Sequence, residues 1–197
     1  MNDLSLERIN KSAPYFVEIG KNGFFEFVSD FGLHCSVGFM YDDLLLSHES
    51  YQFIVANTNH TKSPSDIKVR NTILSIIDEF FRKNNSTLLY ICETGDHKQA
   101  MRNRLFQSWF SAYRNKSMFT FLSSSIVDAE GIVNYATVII RNDHPHYAEV
   151  MKEITSTIQL LSQKPIECFS IIYNITKAFD ELHAGKAKHD ARNLFAE

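Results

Sequence analysis

The chain has 197 residues, 44% of them hydrophobic and 13% aromatic, with 20 Lys+Arg against 23 Asp+Glu for a formal net charge of −3. One domain of that length buries roughly 70% of its unfolded surface, and the composition excludes the sparse, highly charged make-up of a disordered protein. The charge balance excludes a global pull onto nucleic acid or an anionic membrane, and no apolar run of about 18 residues offers a membrane span.

After a short polar lead, Tyr15 to Ile19 and Phe24 to Val28 flank Gly20-Lys21-Asn22-Gly23, turn chemistry that predicts a hairpin. Ser29 to Gly32 is the next turn. Leu33 to Met40 and Tyr51 to Asn57 complete a four-stranded meander, interrupted by the polar loop Tyr41 to Ser50. Ser63-Pro64-Ser65-Asp66 then offers cap residues, and Ile67, Val69, Ile73, Ile76, Ile77 and Phe80 recur on one side of a helix through Asn84. Leu88 to Cys92 reads as a central strand, and Glu93 to Asp96 leads into a helix through Tyr113. Met118 to Val127 and Val133 to Arg141 flank Asp128 to Gly131 as a second hairpin. Tyr147, Val150, Met151, Ile154, Ile158 and Leu161 line a further helix. Pro165 opens a last helix through Leu182 with Gly185 as its stop, although Ile166 to Tyr173 reads equally well as a strand. The expected fold class is α+β: a mainly antiparallel sheet with flanking helices over residues 1–162, then a C-terminal helical extension and polar tail over 163–197.

Met1 to Lys11 lacks the apolar core of a signal peptide. Cys35, Cys92 and Cys168 are odd in number and widely spaced among apolar residues, as reduced core thiols are. Both point to the cytoplasm, where the Asn174-Ile175-Thr176 sequon is a chance match.

The helix after Leu88 to Cys92 carries the strongest chemical signal. At about 100° per residue, Met101, Leu105, Phe106, Trp109, Phe110 and Tyr113 fill one half, and Arg102 falls among them. A guanidinium aimed at a core needs an anionic or carbonyl partner. One outcome is an internal ion pair to Glu93, Asp78 or Glu79. The other is an anion site in which Arg102, Lys98 and Arg70, near the first turn of its own helix, meet a phosphate or carboxylate.

Other groups read as structure. His97, Lys98, Arg102, Arg104, Arg114 and Lys116 make the segment basic, but Trp109 and Phe110 lie on the core side while Arg104 faces away, so no nucleic-acid surface is expected. His144 and His146 lack a third ligand at metal spacing and read, with His183 and His189, as solvated histidines; no metal is expected. Cys92 reads as packed rather than activated. Ser123 to Ser125 fits no nucleophile elbow. Asp42, Asp43, Asp78, Glu79, Glu93 and Asp96 read as solvated carboxylates without enforced pairing.

GDHKQAMRNRLFQSWF, from Gly95 to Phe110, follows LLYIC at Leu88 to Cys92 and the helical TILSIIDEFF at Thr72 to Phe81. Together they resemble an uncharacterised family of small bacterial proteins, mostly from Bacteroidetes, known only as a domain of unknown function. The resemblance spans Tyr15 to Tyr113 and implies no activity. A second resemblance is topological: the order of elements from Phe24 to Arg141 is similar to the core of the N-acetyltransferases that use acetyl-coenzyme A. It implies an acyl-coenzyme A-dependent enzyme whose first helix after the meander receives the pyrophosphate. That family has a glycine-rich loop there, whereas Asn57 to Asp66, NTNHTKSPSD, has no glycine and sets Asp66 at the anion position.

The reading is therefore a soluble, cytoplasmic bacterial binding or protein-interaction module. Its partner is another protein or a small anionic ligand, held near Arg70, Lys98 and Arg102. The alternative is the N-acetyltransferase-like enzyme, with acetyl-coenzyme A as its cofactor.

Overall fold

Alternation of apolar and polar residues along the strands places their inward side chains against α-helices packed on the sheet. The structure, a computed structural model, describes residues 1–43, 45, 47–92, 97–127 and 131–163, the last four of these by their backbone alone. The elements are α1 (Leu6–Ser12), β1 (Glu18–Ile19), β2 (Phe25–Val28), β3 (His34–Asp42), β4 (Ser50–Asn57), α2 (Ile67–Lys83), β5 (Thr87–Cys92) and α3 (Gln99–Ser111). A 3-10 turn at Lys116–Met118, β6 (Phe119–Val127), β7 (Val133–Arg141) and α4 (Tyr147–Gln163) follow. The fold is α+β. The strands form one sheet in the order β1-β2-β3-β4-β5-β7-β6, antiparallel throughout except between β4 and β5.

That parallel pair is short. Ser50, Tyr51 and Gln52 stand opposite Thr87, Leu88 and Leu89, after which β4 runs on to Asn57 and β5 to Cys92 without further register. The two strands part like a fork at their C-terminal ends.

One face of the sheet carries α1, α2 and α3 over the larger core. Tyr51, Phe53 and Val55 of β4 meet Ile73, Ile76 and Phe80 of α2, while Tyr90 and Ile139 lie under Phe106 of α3 in the same cluster. Each such side chain, when fully buried, contributes about 1.5–3 kcal/mol. Asp66 caps α2, its Oδ1 accepting from Lys68 N at 2.8 Å. The other face is covered by α4, whose Val150 and Ile154 pack on Leu45, Leu89, Val138 and Ile140. Between α4 and the sheet runs an apolar groove, floored by Leu89, Ile91, Leu122 and Val138 and roofed by Ile154 and Ile158.

Several expectations change. The polar lead holds α1, capped by Ser5, which sinks Ile9 into the core. Tyr15 to Ile19 is strand only at Glu18–Ile19; Tyr15 and Val17 instead serve the core, and the Tyr15 hydroxyl donates to Asp66 Oδ2 at 2.5 Å. Asp42 and Glu79 are not solvated: they are 3% and 4% exposed. Glu79 accepts from Ser5 N at 2.9 Å and from the Arg82 guanidinium at 2.6 and 2.7 Å. No helix among the described residues is long and apolar enough to cross a membrane. The alternatives for Ile166 to Tyr173, the tail and Cys168 lie outside the described residues.

Candidate functional site

The fully buried stripe of α3 is mixed rather than apolar. Gln99, Arg102, Asn103 and Phe106 are the buried residues, and Arg102, 1% exposed, is among the largest fully buried side chains of the protein. Met101, Leu105, Trp109, Phe110 and Tyr113, expected to fill the core side, are only half-buried. The helix is turned so that polar groups meet the strands at its N-terminal end and aromatic ones further along. There Phe106 lies 4.2 Å from Tyr90, centroid to centroid, and Phe110 lies 4.4 Å from Phe121.

The polar end is built in layers. Gln99 Nε2 donates to the Val133 carbonyl at 3.1 Å. One turn on, Asn103 Oδ1 accepts from Ser123 Oγ at 3.1 Å, and that oxygen accepts from Gln107 Nε2 at 3.2 Å. The charge of Arg102 reaches Tyr90 and Cys92 on β5 and favours their ionised forms, but burial dominates. Tyr90 is held well above its ordinary value, and the Cys92 thiol is pushed up to about 12. Cys92 is therefore a packed thiol, not a nucleophile, at neutral pH.

Three buried acceptors on this side of the sheet have no hydrogen-bond partner among the described residues: Gln99 Oε1, Thr137 Oγ1 and Asn57 Oδ1. Thr137 stands opposite Tyr90 in the register, and Asn57 ends β4 on the far arm of the fork. A buried acceptor left alone costs about 1–3 kcal/mol, so these atoms mark where a donor belongs.

The two helices that follow the arms of the fork begin differently. At α2 the anion position is filled by Asp66 of the chain itself. At α3, Lys98 stands at the N-cap with no side-chain cap bond, and no acidic residue lies in the first turn. The start of α3 is thus a helix N-terminus without a carboxylate in its first turn, where the positive end of the dipole favours an anion. His97, just before it, has a φ of 59°, a left-handed turn that redirects the chain into the helix.

Arg70 lies in the first turn of α2. It is half-buried on α2, its Nε donating to Asn71 Oδ1 at 3.2 Å. Of the carboxylates considered as partners of Arg102, Asp78 accepts from the Tyr113 hydroxyl and Glu79 is taken by Ser5, Arg82 and Arg8. Glu93 lies outside the described residues. Trp109 packs against the core while Arg104 is exposed, as the periodicity has it. His144 overturns the solvated reading: it is 8% exposed, with Nε2 2.7 Å from the Asn85 carbonyl oxygen and Nδ1 accepting from His146 N at 3.1 Å.

Sequence reasoning missed Gln99, Asn103, Thr137 and Asn57. The first two were findable, since Gln99, Arg102, Asn103 and Phe106 follow the i, i+3, i+4, i+7 spacing of a buried helix stripe once polar residues are admitted to it.

These features define an α+β protein whose one parallel strand pair opens beside a buried arginine. Residues 65–156 match a family described as a family of unknown function (DUF6169). The similarity takes in α2, β5, α3, the β6–β7 hairpin and most of α4, and stops short of β1 to β4. No curated protein matches the chain.

Proposed function

We propose that this protein is a binding module that takes a small anionic ligand at the mouth of the fork, against Arg102, Lys98 and the first turn of α3. The observation that carries the reading is the parting of β4 and β5 after three residues of register, beside a helix start with Lys98 at its N-cap and a guanidinium one turn inside it. In open sheets with parallel strands, ligands bind outside the carboxyl ends of the strands, where helix N-termini converge. The acceptors at Gln99, Thr137 and Asn57 favour a ligand that also carries hydroxyl or amine donors. Arg70, in the first turn of α2, supplies a further positive charge. The buried free thiols Cys35 and Cys92 are in keeping with the reducing cytoplasm of a bacterial cell.

A second reading, an acyl-coenzyme A-dependent N-acetyltransferase-like enzyme, is supported by the strand order with its parallel β4–β5 pair and by α2 following β4. Asp66, which occupies the helix start that a pyrophosphate would need, speaks against it.

A thermal-shift series tests both, because a ligand bound only by the native state stabilises it by about 2.7 kcal/mol at 100 times Kd. The panel is inorganic phosphate, phosphorylated and carboxylated metabolite classes, nucleotides, coenzyme A, acetyl-coenzyme A and short oligonucleotides. The expected result is a rise with a small phosphate- or carboxylate-bearing compound that Arg102→Lys or Lys98→Ala removes. A rise confined to coenzyme A derivatives transfers the case to the second reading. Silence across the anions overturns the first.

A further inference from the structure

At the opposite end of the sheet from the fork, the β3–β4 connection meets the start of α4. His48 Nε2 lies 3.3 Å from Glu149 Oε2, and His146 Nδ1 lies 3.3 Å from the same oxygen. Taken one ligand atom each, His48, His146 and Glu149 fall within 4.8 Å of one another. Ligand atoms set tetrahedrally at ~2.0–2.1 Å around a zinc ion stand ~3.3–3.4 Å apart. The two 3.3 Å separations have that spacing and are long for charge-assisted hydrogen bonds, which run about 2.7–2.9 Å.

Proton placement agrees. Ser47 Oγ donates to Glu153 Oε2, so in its 2.8 Å contact with His48 Nδ1 the same oxygen accepts, and Nδ1 carries the proton. With Nδ1 turned to Ser47, Nε2 is the ring nitrogen left to face the Glu149 carboxylate, the position from which it can ligate a cation. Glu153–Ser47–His48 is also the outer arrangement that metal-binding imidazoles use, the second ring nitrogen donating to an oxygen that fixes tautomer and orientation. His146 is positioned by its neighbour: its backbone N–H donates to His144 Nδ1, and His144 Nε2 is held against the Asn85 carbonyl. The rings of His48 and His146 stand 4.6 Å apart. A cation beside a helix N-terminus works against the dipole, and Glu149 in the first turn with Glu153 one turn on supplies the compensating charge.

We infer that His48 Nε2, His146 Nδ1 and Glu149 Oε2 form a binding site for a divalent transition-metal ion of the zinc class, which fastens the β3–β4 connection to α4. The two histidines and one carboxylate leave a fourth position. His146 and Glu149 are 54% and 67% exposed, so that position faces solvent, as in sites that keep an exchangeable water rather than in closed structural ones.

The test is titration of the chelator-treated full chain with Co2+, followed in the visible ligand-field region, and with Zn2+ by calorimetry. The expected result is one equivalent of Co2+ with the intensity of a four-coordinate ion, and a raised melting temperature. His146→Ala and Glu149→Gln should each weaken that equivalent at least tenfold. Ser47→Ala, which touches no ligand atom of the site, should weaken it about tenfold by freeing the His48 tautomer. Melting of each variant without metal verifies the fold; where a variant melts early, Glu149→Asp replaces it, and a restored fold with weakened binding counts for the site. Metal binding unchanged by these substitutions, or no binding by the wild-type protein, overturns the assignment.

Discussion

Glu79 shows what a single buried carboxylate does here. It joins α1 to α2 by accepting the Ser5 backbone N–H and the Arg82 fork, and these bonds, the Arg82 guanidinium first, hold its carboxyl below the ordinary value of 4.5 despite its burial. A carboxyl lowered in the folded state adds stability above its unfolded pKa, and that stability fades as pH falls through the folded pKa. Glu79→Gln keeps an acceptor for Ser5 and loses the charge, so it should cost about 1 kcal/mol at neutral pH, with Arg8 and Arg82 largely exposed and screened. Urea unfolding at several pH values should show the gap to wild type closing below about pH 4.5. A gap that stays constant into acid would contradict the pairing. Arg102 was legible as an inward arginine from its place among apolar residues. Its polar companions Gln99 and Asn103 were not, because a search for apolar periodicity discards the residues that line a polar pocket.

At the scale of elements, the clearest contrast is between the starts of α2 and α3. Asp66 caps α2 and also accepts the Tyr15 hydroxyl, which, chiefly through burial and with that carboxylate's help, is pushed up to about 12. Asp66→Ala should cost about 0.5–2 kcal/mol, read as a lower urea midpoint at unchanged slope. It should also let phosphate stabilise the variant through the vacated helix start. A substitution without effect on the midpoint would remove Asp66 from the account of why α2 takes no anion. Elements α2, α4 and the β6–β7 hairpin were readable because each buries a full periodic stripe or flanks clear turn residues. The first helix was not. Over seven residues it places one side chain, Ile9, in the buried class, too few for a period to show, and the signal was Ser5 as cap before Leu6 and Ile9.

The whole molecule places its two candidate sites at opposite ends of one sheet. The fork lies at the C-terminal ends of β4 and β5, and the histidine cluster lies where β4 begins and β7 gives way to α4. The order of strands in the chain predicted neither. The fork arises because β4 and β5 are parallel and separated by α2, so their register is set by packing rather than by a turn. The cluster unites His48 with His146 and Glu149 across about half of the chain, out of reach of any spacing rule for metal ligands. What local reading did find, the inward arginine and the absence of a glycine-rich loop before α2, holds in the fold.

The measurement closest to the central claim is hydrogen–deuterium exchange across β4 and β5, with and without the anion that gives the largest thermal shift. A fork predicts that, in the arms beyond Gln52 on β4 and beyond Leu89 on β5, the amides not held by β3 or β7 exchange faster than those in the paired stretch at Tyr51 and Leu88. The ligand should slow exchange in those arms and in the first turn of α3. Protection gained instead beneath α4, along the apolar groove of Leu89, Leu122 and Val138, would contradict it and move the binding site to the other face of the sheet.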